Sequence, residues 1–220
     1  MSAMADMGMA MPQMTPWGPT DFLLVFLMWA VMMVAMMVPS ASPMILVFAT
    51  VNRKRLADHT PLIRTGLFLL GYLIVWAGYS LLAALGQWGL HSAALITPAT
   101  AVTPWLGGLL LLAAGAYQFT PLKDACLSRC QSPFGFILTQ WREGARGALV
   151  MGLRHGAFCV GCCWVLMALL FVAGVMNLLW VAAIAAFVLL EKVLPVGRLV
   201  SRLAGTILIV GGAWLLTAAL

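Results

Sequence analysis

The chain has 220 residues, of which 64% are hydrophobic and 8% charged, with a formal net charge of +6 and a mean hydropathy of +1.05. A soluble domain carries roughly 25% charged residues, so this composition excludes a soluble globular enzyme, a disordered chain and a nucleic-acid-binding module. It indicates a polytopic membrane protein in the lipid bilayer, where surplus positive charge reports orientation rather than an acidic ligand.

The chain opens with MSAMADMGMAMPQMTP, which carries Met1, Met4, Met7, Met9, Met11 and Met14. Asp6, Gly8, Pro12 and Pro16 make this stretch a poor helix with nothing to bury. It also lacks the basic stretch and apolar core of a secretory signal. Residues 1–20 are therefore expected to form a Met-rich extracytoplasmic tail, and 21–220 a single transmembrane domain.

Apolar runs then predict six spans, at residues 22–50, 65–90, 104–121, 148–173, 177–194 and 203–220. The first is expected to be interrupted at Pro39 and Pro43, since proline removes a backbone donor and breaks a helix. No run alternates as the strands of a barrel do. The expected fold is an all-α membrane bundle of six transmembrane helices.

Basic residues test that count. Arg53, Lys54, Arg55 and Arg64 lie between spans one and two. Lys123, Arg129, Arg142 and Arg146 lie between three and four, and Lys192, Arg198 and Arg202 between five and six. Of the 12 basic residues, only Arg154 falls inside a span, where pairing with Glu191 or snorkelling would accommodate it. The positive-inside rule places the three basic loops in the cytoplasm and both termini outside, which requires an even number of spans. Glu191 and Lys192 are expected at the inner interface.

The candidate chemistry is sulfur. Thioether is a soft, neutral ligand that favours Cu(I) over hard cations, and it forms no disulfide on an oxidising outer face. Met7, Met9 and Met11 of the tail are candidate ligands on that ground alone. In span one, Met28, Met32 and Met36 are four apart, as are Met33 and Met37, so their sulfurs run down the helix as a ladder. Methionine is also ordinary membrane filler, but five at this spacing beside two prolines favour a binding role.

Span four carries the sharpest signal, MGLRHGAFCVGCCWVLM. Met151, His155, Cys159 and Cys163 fall at successive i+4 steps, and Cys162 borders the same face. One helix thus offers imidazole and thiols to one ion. Ionisable residues in a span are expensive and read as functional by default. A rise of about 1.5 Å per residue puts Cys159 about 20 Å from Arg146 and Met32 about 16 Å from Asp21, so both sets sit near mid-bilayer. Cys126 and Cys130, in CLSRC of the second cytoplasmic loop, are a further pair suited to receiving the ion inside.

The segments MWAVMMVAMMVPSASPM, AYQFTPLKDACLSRC, MGLRHGAFCVGCCWVLM, MNLLW and LEKVLP together resemble a prokaryotic family of metal-binding integral membrane proteins described only as a domain of unknown function. The resemblance spans most of 21–212 and leaves out the tail. It implies metal binding and supports roles for Met32, Met33, Met36, Met37, Cys126, Cys130, His155, Cys159, Cys162 and Cys163, while the span and charge pattern leads to the expectation of a bacterial inner (plasma) membrane location. The resemblance brings no substrate or reaction.

The resulting expectation is a membrane protein that handles a soft metal, Cu(I) first and Zn(II) second. It would serve uptake, relay or delivery to a cuproenzyme. A membrane thiol–disulfide oxidoreductase and a metal-stabilised subunit of a larger membrane complex are the competing readings. No acid/base pair, nucleotide loop or phosphate cradle accompanies these residues, and no nucleic-acid partner is expected.

Overall fold

A computed structural model describes residues 18–55, 61–93, 95 and 102–218. Among the described residues there are nine helices and no strand: α1 (Pro19–Arg55), α2 (Pro61–Ser92), α3 (Pro104–Tyr117), α4 (Pro121–Gln131), α5 (Pro133–Gln140), α6 (Gly144–Ala168), α7 (Leu170–Ala173), α8 (Leu178–Val193) and α9 (Gly197–Ala218). Four of the resulting rods are long and apolar enough to cross a membrane: α1, α2, α6 continued by α7, and α9. A fifth is reached if α3 and α4, bent by 66°, count as one. Six spans are not reached on this criterion. Helix α8 has 16 residues, about 24 Å of helix against a hydrocarbon core of about 30 Å.

The expected interruption of the first span is absent, because α1 runs unbroken through Pro39 and Pro43. Side-chain hydroxyls bond the backbone here, one in place of a bond lost to Pro43 and two at the Met37 carbonyl, whose own donor position, Ala41, is not proline. Pro43 cannot donate to the Pro39 carbonyl, and the Ser42 hydroxyl does so instead at 2.8 Å. The Met37 carbonyl is held by Ser40 Oγ at 2.9 Å and by Tyr72 Oη of α2 at 3.0 Å. Such substitutes let proline persist inside an apolar helix. At the start of α1, Asp21 reaches back to accept the Gly18 N–H at 2.9 Å, in the manner of a capping box.

The break falls in the third span. Proline disfavours helix in the residue before it and suits the first helical position after it. In the sequence Gln118-Phe119-Thr120-Pro121 this ends α3 and starts α4, with the Thr120 hydroxyl accepting the Lys123 N–H at 3.3 Å. Ser132 and Pro133 start α5 by the same chemistry.

Two helix pairs approach to backbone contact through glycine. A Cβ on Gly152 of α6 would lie 2.0 Å from the Phe68 carbonyl oxygen, and one on Gly71 of α2 would lie 2.3 Å from that of Leu149. Helices α3 and α9 meet in the same way through Gly108, Gly115, Gly205 and Gly212. Small residues at such crossings give the close packing that holds apolar helices together where burial from water contributes little. The α2–α6 contact fixes Tyr72 against α6.

The core divides in two. The larger cluster joins Trp29, Met33, Met36 and Met37 of α1 to Tyr72 and Trp76 of α2 and to Cys159, Cys162 and Cys163 of α6. The smaller joins Met44, Phe48, Phe68, Phe136 and Met151. Trp29 is fully buried, and its indole donates to Gln87 Oε1 at 2.7 Å.

Candidate metal centre

Helix α6 presents His155, Cys159, Cys162 and Cys163 to the interior, all buried. Cys159 is the hub. Its Sγ accepts from Lys192 Nζ at 2.9 Å and lies 3.2 Å from Tyr72 Oη. That hydroxyl has one proton, so it serves either the sulfur or the Met37 carbonyl at a given moment. The Cys162 and Cys163 thiols turn back along the helix to the Cys159 carbonyl, at 3.1 and 2.9 Å. Cys163 Sγ also reaches Met37 Sδ at 3.9 Å. The sulfurs of α1 and α6 therefore touch.

The thioether ladder faces the same place. Met33, Met36 and Met37 are buried among the cysteines, and Met28 and Met32 pack partly buried against them. Met151 does not join them. It belongs to the smaller cluster, and its sulfur accepts the Arg142 N–H at 3.4 Å. Met7, Met9 and Met11 lie outside the described residues.

Cys126 and Cys130 were expected in a cytoplasmic loop. The 66° bend instead folds α4 back against α6, so both cysteines pack on the larger cluster. Cys126 Sγ lies 2.7 Å from where a Cβ on Gly161 would stand, so glycine at that position makes room for it. Cys130 packs partly buried against the cluster that holds Cys162. All 5 cysteines of the chain thus gather around one helix, and all are free thiols.

His155 is caged by rings. Phe68 and Tyr72 stack on it at 6.0 and 5.7 Å, and Phe136 meets it edge-on at 5.5 Å. Its Nδ1 is buried with no hydrogen-bond partner. A buried polar nitrogen left unpaired is costly, and such an orphan fits a position where a ligand supplies the missing contact. The ring also lines a pocket of about 150 Å³ shared with Met44, Cys130 and Lys192.

Three charged residues expected at loops or interfaces are instead inside. Lys123, Glu191 and Lys192 are all buried. Lys123 Nζ pairs with Glu191 Oε1 at 2.7 Å and also donates to Gln118 Oε1, which accepts a second bond from Ser201 Oγ at 3.0 Å. Gln131 Nε2 donates to the Glu191 and Leu194 carbonyls, at 2.8 and 3.3 Å, and so closes the C-terminal end of α8. These bonds tie the C-terminal end of α3 to that of α8. Arg154 is exposed and bonds Gln140 rather than Glu191.

Lys192 has no carboxylate partner. Its ammonium bonds Cys159 Sγ and Ser40 Oγ, the latter at 3.0 Å, while Glu191 is committed to Lys123. Among the described residues the buried charged side chains are Lys123, Lys192 and Glu191, a set that a thiolate at Cys159 would bring to neutrality.

Among the described residues, no three His, Cys, Asp or Glu side chains converge closely enough to hold one ion together. The contacts above give the reason. Lys192 sits on Cys159, the next two thiols rest on a backbone carbonyl, and Cys163 also reaches the Met37 thioether. The donor set is assembled, but Cys159, Cys162 and Cys163 are each engaged with a resident partner.

The family model of PpoB2, described as a copper chaperone, matches residues 26–215. No curated protein and no solved structure matches the chain. The expectation of a family without a described function is thereby corrected to one with a copper function.

Proposed function

Because the chain belongs to the PpoB2 copper-chaperone family, we propose that it is a multi-pass protein of the bacterial inner membrane that carries Cu(I) on sulfur, with both termini outside. The observation that carries this reading is the meeting of two sulfur sets: the α1 thioethers reach the α6 thiols at the Met37–Cys163 contact of 3.9 Å. Neutral thioethers hold Cu(I) without demanding charge, whereas thiolates hold it more strongly. An ion captured by Met7, Met9 and Met11 and passed along Met28, Met32, Met33, Met36 and Met37 therefore moves from weaker to stronger ligands. Cys159, Cys162 and Cys163, with His155 and the α4 pair Cys126 and Cys130, form the strong end. A cuproenzyme under assembly, or a membrane complex containing one, is the recipient that such a carrier would serve.

The thiol–disulfide oxidoreductase reading draws on the neighbouring Cys130 and Cys162, but it gives the thioethers no role. Zn(II) suits cysteine and histidine but leaves the thioethers equally unused. The test is to equilibrate the detergent-purified protein with Cu(I) and Zn(II) together under anaerobic reducing conditions, remove free metal, and measure both elements. Copper retained in stoichiometric amount with little zinc is the expected result. Zinc retained in preference, or neither metal, contradicts the proposal.

A further inference from the structure

Lys192 is a residue that a simple sulfur site does not need. It lies on the last turn of α8, is only 6% exposed, and points its ammonium at the one sulfur around which the centre is built. Its other partner is the neutral hydroxyl of Ser40 at 3.0 Å. The adjoining cavity, lined by Ser40, Met44, Cys130, Gln131, His155 and Lys192, has a volume of about 150 Å³, several times the share of one water in the liquid. A lysine terminus rotating off Cys159 has somewhere to go, and His155, whose Nδ1 has no hydrogen-bond partner, lines the same cavity.

We infer that Lys192 is a stand-in cation: its ammonium occupies the cation position beside Cys159 until Cu(I) arrives, and binding of the ion displaces it from the sulfur. This rests on the reading of the cysteine cluster as the copper site. The physics is that of two cations competing for one anionic sulfur. Two unit charges about 4 Å apart repel strongly unless well screened, so ammonium and Cu(I) cannot both sit on Cys159 in a buried setting. The ammonium keeps the empty site closed and its charge balanced, and leaves when replaced. The exchange also discriminates between metals. One monovalent ion replacing another at the sulfur leaves the charge there unchanged, whereas Zn(II) leaves it one unit more positive. A buried uncompensated charge is among the costliest things a protein interior can hold.

The chain has three lysines, Lys54, Lys123 and Lys192, so lysine carrying ¹³C at Cε and ¹⁵N at Nζ gives a spectrum that Lys192→Arg assigns by loss of one signal. Cu(I) is diamagnetic and does not broaden it. Titrating the wild-type protein with Cu(I) is expected to move the Lys192 signal in step with copper bound, saturating at one equivalent at this site, while Lys123 stays in place. In Cys159→Ser the same titration leaves Lys192 unmoved, and Zn(II) leaves it unmoved in the wild type. Copper bound through sulfur with an unshifted Lys192 overturns the stand-in role and leaves the proposed function intact. A shift as large with Zn(II) overturns the discrimination. Failure of the wild-type protein to bind copper at all overturns the proposed function, and the stand-in role with it.

Discussion

Replacing Cys159 by serine is expected to weaken Cu(I) binding by more than about a hundredfold. Loss of even a supporting partner around a metal ligand costs about 10- to 100-fold, and in this account Cys159 is a ligand itself. It touches Lys192, Tyr72 and, through its carbonyl, both following thiols. Serine keeps the size and loses the soft sulfur. His155→Ala is expected to have a smaller effect, because the imidazole stands at the edge of the cavity rather than among the sulfurs. Competition against a chromophoric Cu(I) chelator under anaerobic conditions measures both. Wild-type affinity in Cys159→Ser would remove this residue from the centre.

The second large effect concerns stability. Lys123→Met leaves Glu191 charged and buried without its partner. Breaking a buried ion pair from one side costs about 3–5 kcal/mol, whereas replacing both members by apolar residues is often neutral or stabilising. Lys123→Met is therefore expected to lower the melting temperature of the purified protein sharply, and Lys123→Met with Glu191→Met to recover most of the loss. Thermal unfolding in detergent, followed by size-exclusion profile, reads the cycle. Equal losses in the single and double variants would show that the pair does not act as a unit. Copper binding in the double variant is expected to persist, since neither residue contacts Cys159.

Much of the centre was legible along the chain. The i+4 stripe of His155, Cys159 and Cys163 is local to one helix, and helical periodicity alone puts it on one face, as it proves to be. The thioethers at Met33, Met36 and Met37 were legible for the same reason. Their contact with α6, through Met37 and Cys163, was not, because pairings between helices leave no periodic trace. Met151 continues the stripe by spacing, yet one turn beyond His155 the neighbours change to Phe48 and Phe68.

Charge placement failed where it met tertiary pairing. Counting basic residues between apolar runs puts Lys123 and Lys192 in loops, since it treats every charge at the end of a run as solvated. The structure turns both inward, and each finds a partner from a distant segment: Glu191 for one, Cys159 for the other. A sign was present in the adjacent Glu191-Lys192 at the end of a run too short to span comfortably. Proline was over-read in α1, where neighbouring serines repair the backbone, and under-read at Thr120-Pro121, where the helix does break. Both sites have a hydroxyl on the carbonyl that proline frees, Ser42 on Pro39 and Thr120 on Tyr117, but only Thr120 also accepts the Lys123 N–H and starts a new helix.

X-ray absorption at the copper edge of the anaerobically loaded, detergent-purified protein bears most directly on whether this chain holds Cu(I) on gathered sulfur. The account predicts a Cu(I) edge and a first shell dominated by sulfur, with a nitrogen contribution that disappears in His155→Ala. A first shell of nitrogen and oxygen alone, or a Cu(II) edge under reducing conditions, would contradict it.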